Sequence, residues 1–210
     1  MAKDKSMSVC CPACLEDGTF RICDLWDSAL DPDIKERIFS RDIFRYSCPE
    51  CGEEILVAYD CTYLDKEHNF MVMLLTEKDD DTTIETTEYN LRVVRTINDF
   101  VEKIALIEDD IDDRIVELYK IMLEDQFEDE RPDAKILGIY YGGKSENEKN
   151  LVFFIITENA PNCRAHLSLD VYETISRQFK ESADKFGDTS EVGRDWAIGV
   201  LQNSFSDNQK

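Results

Sequence analysis

Four cysteines in two matched pairs are the residues of this chain best suited to chemistry. Cys11-Pro12-Ala13-Cys14 and Cys48-Pro49-Glu50-Cys51 share the pattern Cys-Pro-x-Cys, and Gly52 follows the second. Two residues between cysteines let both sulfurs turn to one point, about 2.3 Å from a zinc ion, with the backbone N–H groups between them facing the thiolates. Each pair supplies half of a tetrahedron. Proline after the first cysteine fixes φ in the turn, and glycine after the second can take the positive φ with which the loop leaves the metal. The spacing predicts one structural zinc ion held by Cys11, Cys14, Cys48 and Cys51. Redox cysteine pairs come singly at a helix start, unlike these. With four thiolates the coordination shell is closed, leaving no position for an activated water.

The remaining candidates are weaker. Cys10 adjoins Cys11 and could replace it by a register shift, although the repeated pattern favours Cys11. Cys23, Cys61 and Cys163 stand alone in apolar contexts, where an inert buried thiol is expected. His68 and His166 sit in no metal or catalytic spacing, and the serines form no Gly-x-Ser-x-Gly elbow. No glycine-rich phosphate loop precedes a helix. The acids from Glu108 to Asp113 suit the positive N-terminus of a following helix, and they lack the alternation and glycine of a calcium loop.

The gap between Cys14 and Cys48 is longer than the roughly 15 to 20 residues of a minimal finger. It has room for a strand over 19–30, a short helix over about 32–40 and a return at 43–46, with Leu25, Trp26 and Ile38 in a small core. Asp31 is positioned to cap that helix, and Ile34 and Ile38 share one face. Segments 55–63 and 70–75 read as a hairpin, and the acid- and threonine-rich run 77–88 as an exposed connection. From Asn98 the apolar residues Phe100, Ile104 and Ile107, then Ile111, Ile115, Leu118, Met122 and Phe127, follow helical spacing with a restart near 110, which gives two helices or one bent helix. Gly142-Gly143 predicts a turn between strands at 136–141 and 151–157. Asp170 with Glu173 resembles a capping box ahead of a helix through Val171, Ile175 and Phe179, and a last helix carries Trp196, Val200 and Leu201.

With these elements in place, the segment from Cys11 to about Phe127 resembles the CpXC family of bacterial and archaeal proteins, named for two Cys-Pro-x-Cys motifs. Asp31-Pro32-Asp33-Ile34-Lys35, the stretch Tyr46 to Gly52, and Tyr63-Leu64-Asp65 extend the likeness. The resemblance carries over the four cysteines and no activity. Leu15 departs from the glycine that commonly follows such a pair.

Composition bounds the rest. The chain has 210 residues, 42% of them hydrophobic, enough for a real core. Against 46 Asp plus Glu stand 24 Lys plus Arg, a formal net charge of -22 that repels phosphate backbones and anionic membranes. No stretch approaches the roughly 20 apolar residues of a membrane span. The polar start, Met1 to Ser8, lacks a secretory signal, which predicts a cytoplasmic chain with reduced thiols. The resulting expectation is an α+β protein: a zinc-ribbon-like β subdomain over 8–76, then an α+β region over 77–210 with a helical segment, a β-hairpin and two helices, sharing a core with the first. Its role is a non-catalytic binding or scaffolding module with a protein partner. The alternatives are a nucleic-acid-associated zinc ribbon, opposed by the charge, and an enzyme whose site assembles in the C-terminal half.

Overall fold

The computed structural model describes residues 4–77, 88–186 and 190–207. It mixes helices and strands, as an α+β chain should, and divides into two compact units, Met1–Val101 and Glu102–Lys210.

In the first unit, strands β1 (Asp4–Cys10) and β2 (Asp17–Cys23) form an antiparallel hairpin, paired from Asp4 with Cys23 to Cys10 with Asp17. β3 (Leu25–Asp27) leaves that hairpin for a different sheet. The single strand expected over 19–30 is therefore two, divided at Asp24. Leu25, expected in a core, is 36% exposed. Helix α1 (Ile34–Phe39) follows with Ile34 and Ile38 fully buried, so the expected face is correct. The expected cap is not: Asp33 occupies the N-cap without a side-chain bond, and Asp31 instead accepts from Arg37 at 3.0 Å. A 3-10 turn, Asp42–Phe44, leads into a second antiparallel hairpin, β4 (Arg45–Ser47) with β5 (Glu54–Leu56).

β6 (Cys61–Asp65) and β7 (Phe70–Leu74) make the antiparallel hairpin that the apolar pattern predicted, although β5 belongs elsewhere and splits the 55–63 segment. β8 (Asn90–Val94) and β3 complete the sheet in the order β3-β6-β7-β8. Most of the run 77–88 lies outside the described residues. An aromatic chain runs from the two cysteine-bearing hairpins to Phe100. Tyr46 meets Phe20 edge-on at 6.1 Å, Phe20 meets Tyr59 at 6.0 Å, Tyr59 meets Phe44 at 5.4 Å, and Phe44 meets Phe100 at 5.9 Å. Such ring pairs add to simple area burial.

Helix α2 (Ile97–Glu108) begins at a reciprocal cap, with Thr96 Oγ1 accepting from the Asp99 N–H and donating to the Asp99 carboxylate. The chain breaks at Asp110, whose φ is 55°, and restarts at Asp112, which caps α3 (Asp113–Glu130) by accepting from the Arg114 N–H at 3.0 Å. Of the two expected forms, two helices or one bent helix, the structure has two helices.

The second unit adds an antiparallel sheet in the order β11-β10-β9, from β9 (Ile136–Lys144), β10 (Asn150–Thr157) and β11 (Cys163–Ser168). The expected Gly142-Gly143 turn is instead part of β9. Gly143 takes φ +105° where the register slips between the Leu151 and Phe153 pairings, a bulge, and a Cβ on Gly142 would lie 2.2 Å from the Phe154 ring. The true turn is at 145–149. Helix α4 (Leu169–Lys185) is capped by Ser168, not Asp170, through the Val171 N–H at 3.3 Å. With α5 (Arg194–Asp207), α3 and α4 bury Ile115, Leu118, Ile175, Phe179, Trp196 and Val200 in one core with Leu151 and Phe153 of the sheet.

Candidate metal centre

Each Cys-Pro-x-Cys segment sits at the tip of a two-stranded hairpin, and the two tips are built alike. In the first, between β1 and β2, the Cys11 N–H donates to the Glu16 carbonyl at 3.0 Å and the Leu15 N–H donates to the Cys11 carbonyl at 2.9 Å. In the second, between β4 and β5, the Cys48 N–H donates to the Glu53 carbonyl at 2.8 Å and the Gly52 N–H donates to the Cys48 carbonyl at 2.9 Å. Leu15 and Gly52 both take positive φ, 63° and 77°. The same backbone geometry thus serves both loops, and Leu15 adopts it without glycine.

That departure has a measurable consequence. Left-handed backbone costs a non-glycine residue roughly 1 kcal/mol, and Leu15 is 75% exposed, so its side chain returns little packing. Leu15→Gly should stabilise the first unit by up to about 1 kcal/mol and Gly52→Ala should destabilise it by about as much. Thermal denaturation of the metal-loaded protein separates these signs, and shifts in the same direction would contradict the shared geometry.

The four sulfurs converge. Cys11 Sγ is 3.6 Å from Cys51 Sγ and Cys14 Sγ is 3.6 Å from Cys48 Sγ, so the first cysteine of each loop meets the second of the other. All four lie within 4.8 Å of one another. Sulfurs each about 2.3 Å from the centre of a regular tetrahedron are about 3.8 Å apart, so this spacing suits a small tetrahedral ion. Cys11 and Cys48 are buried, Cys14 is half-buried and Cys51 is exposed.

Without a cation the sulfurs cannot all be anionic. The Cys14 and Ala13 N–H groups, against desolvation, bring the Cys11 thiol down to about 7. Cys14, although the Glu16 N–H favours its thiolate, is pushed up to about 12 by desolvation and the surrounding sulfurs. Cys51 is likewise raised: the Glu53 N–H is outweighed by desolvation and the Cys11 sulfur. The arrangement concentrates negative charge that a divalent cation would neutralise.

The other candidate residues are elsewhere. Cys10 is exposed, with its sulfur 3.7 Å from the Leu15 carbonyl and outside the four-sulfur group. Cys23 and Cys61 are buried, and burial first pushes the Cys61 thiol up to about 12. Cys163 opens β11 and accepts from Arg131 Nη1 at 3.1 Å. The acids of the helix junction have structural partners: Asp109 accepts from the Tyr141 hydroxyl at 2.6 Å, Asp112 caps α3, and Asp113 pairs with Lys103 at 3.0 Å. His68 Nδ1 lies 3.0 Å from Asp65, a fully buried carboxylate that also takes the Glu67 and His68 N–H groups. Burial would raise Asp65; the His68 imidazole and N–H overcome it and hold it at about 2. Asp65 is the hub of the β6–β7 turn, and the sequence signal for it is the Asp-x-x-His spacing after Tyr63-Leu64.

Sequence reading missed two further features. Tyr46, two residues before Cys48, is buried beside the sulfurs. Glu102, Lys103, Glu117 and Lys120 form a buried ionic network in the second unit.

A protein-family model described as CpXC protein matches residues 9–120, which hold both cysteine loops. No curated protein and no solved structure matches the chain.

Proposed function

The chain belongs to the CpXC family, and from that premise we propose that its two cysteine-tipped hairpins form a zinc-ribbon-like module holding one structural zinc ion. The protein acts through it as a non-catalytic binding or scaffolding module for a protein partner. The observation that carries the reading is the convergence of the Cys11, Cys14, Cys48 and Cys51 sulfurs from two separate hairpins. Four soft donors at tetrahedral spacing favour zinc among common divalent ions, and a closed thiolate shell leaves no site for substrate or activated water. A cytosolic setting, where thiols remain reduced, suits such a site.

The charge and the arginines weigh against a nucleic-acid role. Arg37 pairs with Asp31 at 3.0 Å, and Arg45 pairs with Asp42 and Glu54 at 3.3 Å each. Arg41 donates to the Asn98 side-chain carbonyl. A phosphate-binding stripe needs guanidinium groups that are not already neutralised by carboxylates.

Metal analysis of protein purified without added zinc should give about one zinc per chain, the stoichiometry of one four-thiolate site. Because at least the Cys14 and Cys51 protons must leave, affinity measured by chelator competition should rise by at least about 100-fold per pH unit between pH 6 and 8. Protein without metal, or a pH-independent affinity, would contradict the proposal.

A further inference from the structure

We propose that Tyr46 positions the sulfur site by donating a hydrogen bond from its hydroxyl to the metal-bound Cys48 sulfur. This rests on the metal reading above and adds to it a residue outside the ligand set.

The Tyr46 side chain is 4% exposed, yet its hydroxyl meets no hydrogen-bond partner in good geometry among the described residues. A buried hydroxyl left unsatisfied costs free energy and needs a reason. Its neighbours include the sulfurs of Cys48, Cys11 and Cys14, and Cys48 follows two residues along the chain, the spacing at which extended backbone turns side chains to one face. A neutral thiol accepts weakly, whereas a metal-bound thiolate accepts a charge-assisted bond. The hydroxyl is thus placed for the stronger acceptor that a metal-bound sulfur would be.

Gly18 supplies an independent observation. A Cβ at residue 18 would lie 1.7 Å from the Tyr46 hydroxyl oxygen and 2.8 Å from Cζ. Gly18 lacks the positive φ of Gly52 and Gly143, and it pairs with Val9 within the β1–β2 ladder, one pair from its loop end, where glycine weakens a strand. Its backbone does not call for glycine; the hydroxyl does. Phe20, two residues along the same strand, fixes the ring edge-on at 6.1 Å. β2 thus gives up a side chain so that one phenol can reach the sulfurs. A divalent ion leaves four thiolates with two uncompensated negative charges, and outer donors to ligands tune metal affinity by about 10- to 100-fold.

The test uses the full chain loaded with cobalt(II) or cadmium-113. In Tyr46→Phe, which keeps the ring, the sulfur-to-cobalt charge-transfer bands should move to lower energy, and metal should pass to a chelator about 10-fold faster. Gly18→Ala, which pushes the hydroxyl out while leaving Tyr46 in the sequence, should reproduce both changes. In the unaltered protein, the Tyr46 hydroxyl proton should show coupling to cadmium-113 across the hydrogen bond. Loss of ring packing alone would not move the charge-transfer bands. Metal-loaded wild-type protein without that coupling, or a Tyr46→Phe spectrum and release rate equal to wild type, overturns the role of Tyr46 and leaves the zinc reading intact. A wild-type chain that takes up neither metal removes both.

Discussion

Replacing Cys48 or Cys51 by serine should unfold the first unit, whereas Cys163→Ser and Cys10→Ser should leave it folded. Serine is close to cysteine in size but stays protonated near neutral pH, so each change removes one anionic ligand and breaks the closed shell. Structural zinc in small peptides contributes roughly 10 to 16 kcal/mol of apparent binding energy, comparable to or above the 5 to 15 kcal/mol of net stability in an ordinary domain. The metal would join two hairpins, β1–β2 and β4–β5, of which the second has only three residues per strand. Isolated hairpins of this length are marginal in water. Cys163 and Cys10 lie outside the four-sulfur group, so their thiols can be lost at the cost of two weak contacts each. Circular dichroism and hydrogen exchange resolved along the chain give the readout. Equal tolerance of all four substitutions would sink the assignment, and equal damage from Cys10→Ser and Cys48→Ser would restore the register in which Cys10 is a ligand.

The four-sulfur cluster was legible because two cysteines with two residues between them can turn both sulfurs to one point, whatever surrounds them. The same local logic found the α2–α3 restart, where acids cap a helix, and the Ile34–Ile38 face of α1. What failed depended on distant partners. β1 is a polar segment, Lys5-Ser6-Met7-Ser8, with little intrinsic signal, and β2 makes it a strand by pairing along its whole length. Gly142-Gly143 reads as a turn until Phe154 of the neighbouring strand is seen to fill the space above Gly142. In β11 the alternation was present, with Arg164 and His166 exposed beside Ala165 and Leu167, but six residues are easily lost between a loop and a helix. Gly18 and Tyr46, 28 positions apart in the numbering, explain each other only in three dimensions.

The buried ions of the second unit were also hidden, because charged residues on a helix are read first as solvent-facing, and they lead to the other large expected effect. Lys103→Met should destabilise the second unit by about 3 to 5 kcal/mol, the cost of breaking a buried ion pair by removing one partner. Lys103 is 3% exposed, and its ammonium lies 3.0 Å from both Asp113 and Glu117. Lys120 holds Glu102 at 2.6 Å and Glu117 at 3.1 Å, and Glu102 also accepts the Tyr141 N–H. Desolvation alone would raise the Glu117 carboxyl, but the ammonium groups of Lys103 and Lys120 hold it below its ordinary 4.5. A carboxyl depressed on folding stabilises above its unfolded value and loses that contribution as pH falls. In the wild type, therefore, the Glu117 contribution is present at pH 7 and fades below about 4.5. In Lys103→Met, desolvation meets weaker opposition, Glu117 titrates higher, and protonation relieves the buried charge instead of costing stability. The deficit measured by urea unfolding should accordingly be largest near pH 8 and narrow towards pH 4. Adding Glu117→Gln to Lys103→Met should recover part of the loss, because a neutral amide replaces an unpaired buried anion. A deficit under about 1 kcal/mol would place Lys103 among ordinary surface ion pairs. A larger but pH-independent deficit would assign its role to the packing of its aliphatic stem.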